Sequence, residues 1–288
     1  WDLRTGDVVS ERTNAHAKWV YRIAVAASGA FIVTCGAYDK RVMVWHATTL
    51  APMQTLEGHE SVVGGVAVSP DSTMIASGGD GVVKVWEVQG EEGRWKVKRT
   101  INDHTGYVDA VAFSPDGKML ATGSWDTTIK VYSVTIDFSL VHTLEGHAGC
   151  VTSLSFSPDS SRLCSGSYND TNKVWNPLEG TLVIDHATTS SMQVAYSPNG
   201  NLLASYEDLK IEIWQSETME LLHTYVMPFD VQSISWSPTG PFLASGHFDS
   251  SVHLTKVALL LPFYNRREMR MIILGAFTRF EKAVHKAK

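Results

Sequence analysis

The chain has 288 residues, 44% hydrophobic and 19% charged, which is ordinary for a folded globular protein but near the ceiling for one hydrophobic core, so two domains or a repeat architecture is expected. The formal charge of −6 is unevenly placed: residues 256–288 hold 8 Lys/Arg against 2 Asp/Glu, a net +6, which leaves 1–255 at −12. An acidic body is unsuited to gripping phosphates, and no apolar run approaches the roughly 18 residues that span a bilayer.

Taken in chain order, one pattern returns six times. A turn segment begins at Ala26, Ser69, Ser114, Ser157, Ser197 and Ser237, of which Ser114-Pro115-Asp116-Gly117 is the clearest. Ten residues before the first four stand His16, His59, His104 and His147; the fifth gap is eleven, from His186, and the sixth copy has Met227 instead. Further on, Asp39, Asp80, Asp126, Asp208 and Asp249 each precede Trp45, Trp86, Tyr132, Trp214 and Thr255 by six, with Asn169 before Trp175 in the fourth copy. Within a copy, Tyr107–Phe113 alternates, a turn follows, Met119–Thr122 is a short apolar run, a second turn follows at Asp126, and Ile129–Tyr132 alternates again. Leu140–Leu144 makes a fourth strand. Four short antiparallel strands cannot bury both faces of one small sheet, so the units must stack. Radial stacking predicts an all-β propeller of four-stranded antiparallel blades, with six repeats visible.

Gly58-His59 with Val85-Trp86, and Gly146-His147 with Val174-Trp175, resemble the Gly-His and Trp-Asp signatures of WD-repeat propellers. The resemblance covers about residues 1–255, taken as the propeller domain. Trp1-Asp2-Leu3-Arg4-Thr5-Gly6 looks like the end of a repeat's third strand, and Asp7–Arg12 offers an outer strand for the last sheet. Six blades closed by the two ends, or seven as in most of the family, both fit. The basic segment 256–288 reads as strands of a degenerate blade (Val257–Leu261, Met271–Phe277) or as a helix from Pro262. No leader is legible, and the chain starts at Trp1 rather than Met.

The recurring His, Ser/Thr and Asp invite a triad reading, but a nucleophile needs one activated hydroxyl beside one oxyanion site, not several copies at a fixed period. The resemblance implies structural networks instead, each running from Trp through Ser/Thr and His to Asp. These are Trp45–Thr34–His16–Asp39, Trp86–Ser77–His59–Asp80, Thr122–His104–Asp126, Trp175–Ser165–His147, and Trp214–Ser205–His186–Asp208. Tyr132 and Asn169 weaken two of them, and Met227 with Thr255 abolishes the sixth. There is no phosphate loop, His-Glu-x-x-His or Cys/His cluster, so no catalytic residue, metal or cofactor is expected. Cys35, Cys150 and Cys164 are odd in number and form no Cys-x-x-Cys; they read as small core residues of an intracellular protein, cytoplasmic or nuclear.

In WD-repeat propellers the loops before the first strand and between the second and third open around the channel mouth. The residue before the second turn there is Tyr38, Trp125, Tyr168 and Phe248 in four copies, with Tyr206 two residues before Asp208 and Gly79 in the second copy. Glu57 and Glu145 flank the histidine loops. These aromatics are either blade packing or a ring rimmed by acids that suits a basic peptide. Other proteins, basic segments among them, are therefore the expected partners, with no small-molecule substrate, nucleic acid or membrane span. Trp1-Asp2-Leu3-Arg4 also fits the Trp-Asp-x-Arg box of cullin-type ubiquitin-ligase substrate receptors, an alternative role; a propeller enzyme is a further one.

Overall fold

The computed structural model describes residues 11, 15–16, 20–36, 40–90, 94–168, 171–186, 191–238, 241–249 and 251–257. The first sheet holds β1 (Val20–Val25), β2 (Phe31–Gly36), β3 (Val42–His46) and β4 (Pro52–Leu56). The second holds β5 (Gly65–Val68), β6 (Met74–Gly78), β7 (Val83–Gln89) and β8 (Arg94–Ile101). In the third are β9 (Val108–Phe113), β10 (Met119–Ser124), β11 (Ile129–Ser133) and β12 (Ser139–Leu144). The fourth comprises β13 (Val151–Phe156), β14 (Leu163–Ser167), β15 (Asn172–Asn176) and β16 (Thr181–His186). β17 (Gln193–Tyr196), β18 (Leu202–Glu207), β19 (Lys210–Gln215) and β20 (Leu221–Val226) form the fifth, and β21 (Val231–Trp236), β22 (Phe242–His247) and β23 (Val252–Lys256) the sixth. Every described sheet is an antiparallel meander with its strands in sequence order, so the all-β propeller expected from the repeats is the fold, with six blades among the described residues. The expected outer strand at Asp7–Arg12 lies, but for Glu11, outside the described residues, as do 258–288.

Local chemistry explains the meander. In the first turn of a blade, Ser114 donates to the Asp116 carboxylate (2.6 Å), which accepts from the Lys118 N–H (3.1 Å), and Gly117 takes the left-handed φ of +72° that closes the loop. Ser69–Asp71 and Ser157–Asp159 repeat that bond, and Ser197 reaches Asn199. Register then slips at the same place in five sheets, between Val44 and Trp45, Val85 and Trp86, Val131 and Tyr132, Val174 and Trp175, and Ile213 and Trp214. A bulge puts two residues opposite one and turns the strand, here always at the conserved-register aromatic.

Packing is between neighbours. Ala76, Val83 and Val85 of the second sheet pack with Val108 and Leu120 of the third, and Ile129, Val131 and Leu144 of the third with Val151, Leu163 and Trp175 of the fourth. The inner strands β1, β5, β9, β13, β17 and β21 follow one another around the centre. One junction differs. Ile234 of β21 is 2% exposed under the fifth sheet, whereas Ile23, at the same repeat position in β1, is 63% exposed, as is Val25. On the opposite face, a Cβ on Gly78 or Gly123 would strike Val108 or Val151 of the next sheet, but one on Gly246 would meet nothing within 4 Å. Among the described residues, therefore, the sixth sheet does not cover the first.

Candidate functional site

Strand geometry makes the polar networks possible. In β6–β7, Trp86 stands opposite Ile75, so Ser77 is its diagonal neighbour on the same face, within reach of an indole. The Trp86 N–H donates to Ser77 at 2.9 Å, and His59, arriving from the loop before β5, meets the same hydroxyl at 2.7 Å. Trp45–Thr34–His16 (2.8 and 2.6 Å) and Trp175–Ser165–His147 (2.8 and 2.6 Å) repeat the arrangement. All three hydroxyls and all three histidines are buried. Burial, with a contribution from the charge of Lys84, pulls the His59 pKa down to about 4, which leaves the imidazole neutral at pH 7.

Among the described residues, the third sheet shows the acidic end of a network. His104 meets Asp126 through Nδ1 and Thr122 through Nε2, each at 2.8 Å. A carboxylate only accepts, so Nδ1–H donates to Asp126 and the Thr122 hydroxyl donates to Nε2. Burial opposes ionisation of Asp126, but the bonds from Thr128 and His104 outweigh it and hold the carboxyl well below its usual range. The other end of this network is open: the buried Tyr132 hydroxyl has no hydrogen-bond partner among the described residues.

Several network expectations are corrected. Asp80 is exposed at an isolated bridge to Tyr107 and shows no bond to His59 among the described residues, because Gly79 brings the imidazole against the backbone instead. His186 ends β16 opposite Asn172; its ring lies 4.9 Å from that of Trp214, edge to face, rather than on Ser205. The eleven-residue gap is the reason, since it leaves the histidine on the outer strand of the preceding sheet. Ser205 therefore receives only the Trp214 N–H (2.8 Å), and Asp208 is an exposed turn residue with φ +47°. The sixth network is replaced, not lost: His247 meets Ser245 at 2.9 Å and donates through Nδ1 to the Phe229 carbonyl at 3.0 Å. The only signal in the sequence was a histidine two residues after the serine, where other copies have Gly, Ser or Glu. Asp39 lies outside the described residues.

The rim aromatics are set by one recurring backbone bond. Trp125 N–H donates to Tyr107 O (2.8 Å), Tyr168 N–H to Cys150 O (2.9 Å) and Phe248 N–H to Asp230 O (2.9 Å), so each follows its second strand and is tied to the loop before the inner strand. Their exposures are 54, 50 and 78%, so each keeps half or more of its surface in solvent. Tyr206 is different. It is buried within β18, its hydroxyl donates to Gln232 O at 2.5 Å, and burial pushes its pKa up to about 12. It cannot offer a ring face to a partner. Glu57 and Glu145 are exposed, Glu57 within 3.7 Å of Arg41; Tyr38 and Trp1–Arg4 lie outside the described residues.

Among the described residues no group of His, Cys, Asp and Glu could hold a metal ion, and no helix is long and apolar enough to cross a membrane. Cys35 and Cys164 are buried, and Cys150 is partly buried. The profile of the WD domain, G-beta repeat, matches residues 8–46, 50–87, 95–133, 138–176 and 219–255, well over half of the chain. The chain belongs to the WD40 repeat family. The β17–β20 sheet of this WD40 propeller, lying largely between the last two matches, has the same strand order as the rest. Among curated proteins the chain is similar to small ribosomal subunit protein RACK1y of Oryza sativa subsp. japonica, 37% identical over 75 residues, which are 25% of this chain and 22% of that protein. It is also similar to cross-pathway control WD-repeat protein 2 of Flammulina velutipes, 34% identical over 80 residues, 27% of this chain and 25% of that protein. The alignments thus span about a quarter of either relative's length.

Proposed function

We propose that this WD40 propeller is a non-enzymatic interaction platform that binds partner segments rich in Lys and Arg on the rim formed by Trp125, Tyr168 and Phe248. The observation that carries this reading is that one backbone bond, repeated in three sheets, delivers a half- to three-quarters-exposed aromatic to the same rim position. An exposed ring costs solvation and gains little for the fold, whereas it supplies packing and cation–π contact to a partner. Tyr38 belongs to the same proposal by its place in the repeat, with Glu57 and Glu145 as flanking charge; Tyr206 does not. A body of −12 would draw a basic partner in at low salt. RACK1y is named as a small ribosomal subunit protein; co-sedimentation with ribosomes is therefore a natural first assay, with protein contacts expected rather than RNA ones.

The direct test is affinity capture from an intracellular extract with the wild type and with Trp125→Ala. Partner affinity should fall by more than tenfold, about 1.4 kcal/mol, with the melting temperature falling far less than in the core change Leu120→Ala. If Trp125→Ala melts the protein as the core change Leu120→Ala does, the aromatic is packing and the rim should be abandoned.

A further inference from the structure

A second recurring bulge, in the inner strands, carries side chains toward the centre of the ring. Register slips around Tyr21 in β1, Asp109 in β9, Thr152 in β13 and Gln232 in β21, so each of these residues is the extra one of its strand. Unpaired with the neighbouring strand, a bulged residue is free to be re-aimed. Three of the four are neutral. Asp109 is the exception, and the corresponding positions in the other two sheets, Gly64 and Met192, carry no carboxylate either.

Asp109 is 3% exposed and poorly satisfied. One carboxylate oxygen receives the Trp125 indole N–H at a long 3.4 Å; the other makes no hydrogen bond within 3.5 Å among the described residues, although the Tyr21 hydroxyl stands close enough to steady the carboxylate. Its nearest cation is the Arg22 guanidinium of β1, at 3.9 Å and about one-third exposed, which also lies 4.9 Å from the centre of the Tyr21 ring, 3.4 Å from Tyr21 O and 3.5 Å from Thr152 O. The Tyr107 hydroxyl lies against Gly64 and is also buried without a hydrogen-bond partner among the described residues, and its ring meets that of Trp125 edge to face at 5.4 Å. Burial pushes the Asp109 carboxyl up, and Arg22 opposes this most. A buried, half-satisfied carboxylate is costly, and the arginine over it makes no direct hydrogen bond to it.

We infer that Asp109, Tyr107 and Trp125 form a binding site for one arginine side chain of a partner, which displaces Arg22 from the carboxylate. This rests on the rim reading and specifies its deepest contact. A guanidinium offers five donors in a planar fork; the two unpaired oxygens of Asp109 and Tyr107 accept from it, while the exposed face of Trp125 stacks on the aliphatic stem. Arg22 already shows that a guanidinium reaches this carboxylate. It makes no direct hydrogen bond to it, and so is a placeholder that a better-directed arginine outcompetes.

The test uses the full chain and Nα-acetyl-arginine amide, with the citrulline and lysine counterparts as neutral and ammonium controls. The Trp125 indole N–H, assigned by its disappearance in Trp125→Phe, reports on the carboxylate it touches. Its resonance should shift with the arginine probe, at least tenfold more weakly with citrulline, and weakly with lysine. Asp109→Asn should abolish the shift, and Arg22→Gln should lower the apparent Kd several-fold, a gain that damage to the fold would not produce. Equal shifts with citrulline, or an unchanged Kd in Arg22→Gln, would overturn the site. Partner capture separates the two claims: partners lost in Trp125→Ala but kept in Asp109→Asn leave the rim standing and remove the arginine site.

Discussion

His59, His104 and His147 occupy the same place in three sheets, yet the bonds seen among the described residues differ from sheet to sheet. The second and fourth have the indole, while the third has the carboxylate and a tyrosine with an unpaired hydroxyl. Removing one partner strands a buried polar group and costs about 1–3 kcal/mol. Trp86→Phe and Ser165→Ala should therefore each lower stability by that amount in urea titrations. Asp80→Ala and His186→Ala, whose side chains stand outside the networks, should each cost less than about 0.5 kcal/mol. The histidines also impose a pH dependence. The His59 pKa is about 4 in the fold, and burial shifts that of His104 the same way against the pull of Asp126. An unfolded imidazole titrates near 6.5. Between those values the unfolded chain binds protons that the fold refuses, so stability is full above about pH 6.5 and falls as pH drops toward 4. Melting temperatures from pH 8 to 4 should show that decline, with a shallower slope in His59→Gln. A flat profile down to pH 5 would rule out a buried neutral histidine.

At the level of the strand, the sixth sheet shows how a network survives the loss of its usual histidine. Met227 fills the apolar space in the cluster under β21, and His247, at the end of β22, turns back to Ser245 and the Phe229 carbonyl. His247→Ala should destabilise by about 1–3 kcal/mol, comparably to His147→Ala, whereas the volume-conserving Met227→Leu should cost less than about 1.5 kcal/mol. Chemical denaturation of the three variants side by side decides it. If His247→Ala is silent, apolar packing alone holds the sheet. The strands themselves were legible because alternation and Ser-Pro-Asp-Gly turns act locally. Which histidine serves which serine was not, since one extra residue before Ser197 moves His186 to another sheet without altering any local signal.

Across the whole molecule, each sheet's inner face is sealed by its predecessor except at the first. Ile23 and Ile234 are the same residue at the same repeat position, one exposed and one buried. Ile234→Ala should therefore cost about 2–5 kcal/mol, and Ile23→Ala less than about 1 kcal/mol. Equal costs would show that the face of β1 is covered. The comparison also bears on closure, because the choice between six and seven blades depends on what meets this face and not on any feature of the repeat.

Periodicity of short strands, turn chemistry and the spacing of His, Ser and Trp determined the propeller, its repeat boundaries and the positions of the rim aromatics, because each is encoded within one repeat. Exposure could not be encoded that way. Tyr168 and Tyr206 are the same residue type in neighbouring repeats, but Tyr168 stands just past the end of its second strand, half exposed, whereas Tyr206, two residues earlier in register, is buried within its strand against Gln232. Asp109 likewise looks like an ordinary polar residue on an alternating strand. Only the bulge in β9, with Arg22 of β1 and Trp125 after β10 close by, makes it a buried carboxyl. Long-range packing fixes the solvent and the neighbours of a side chain, and those decide its chemistry.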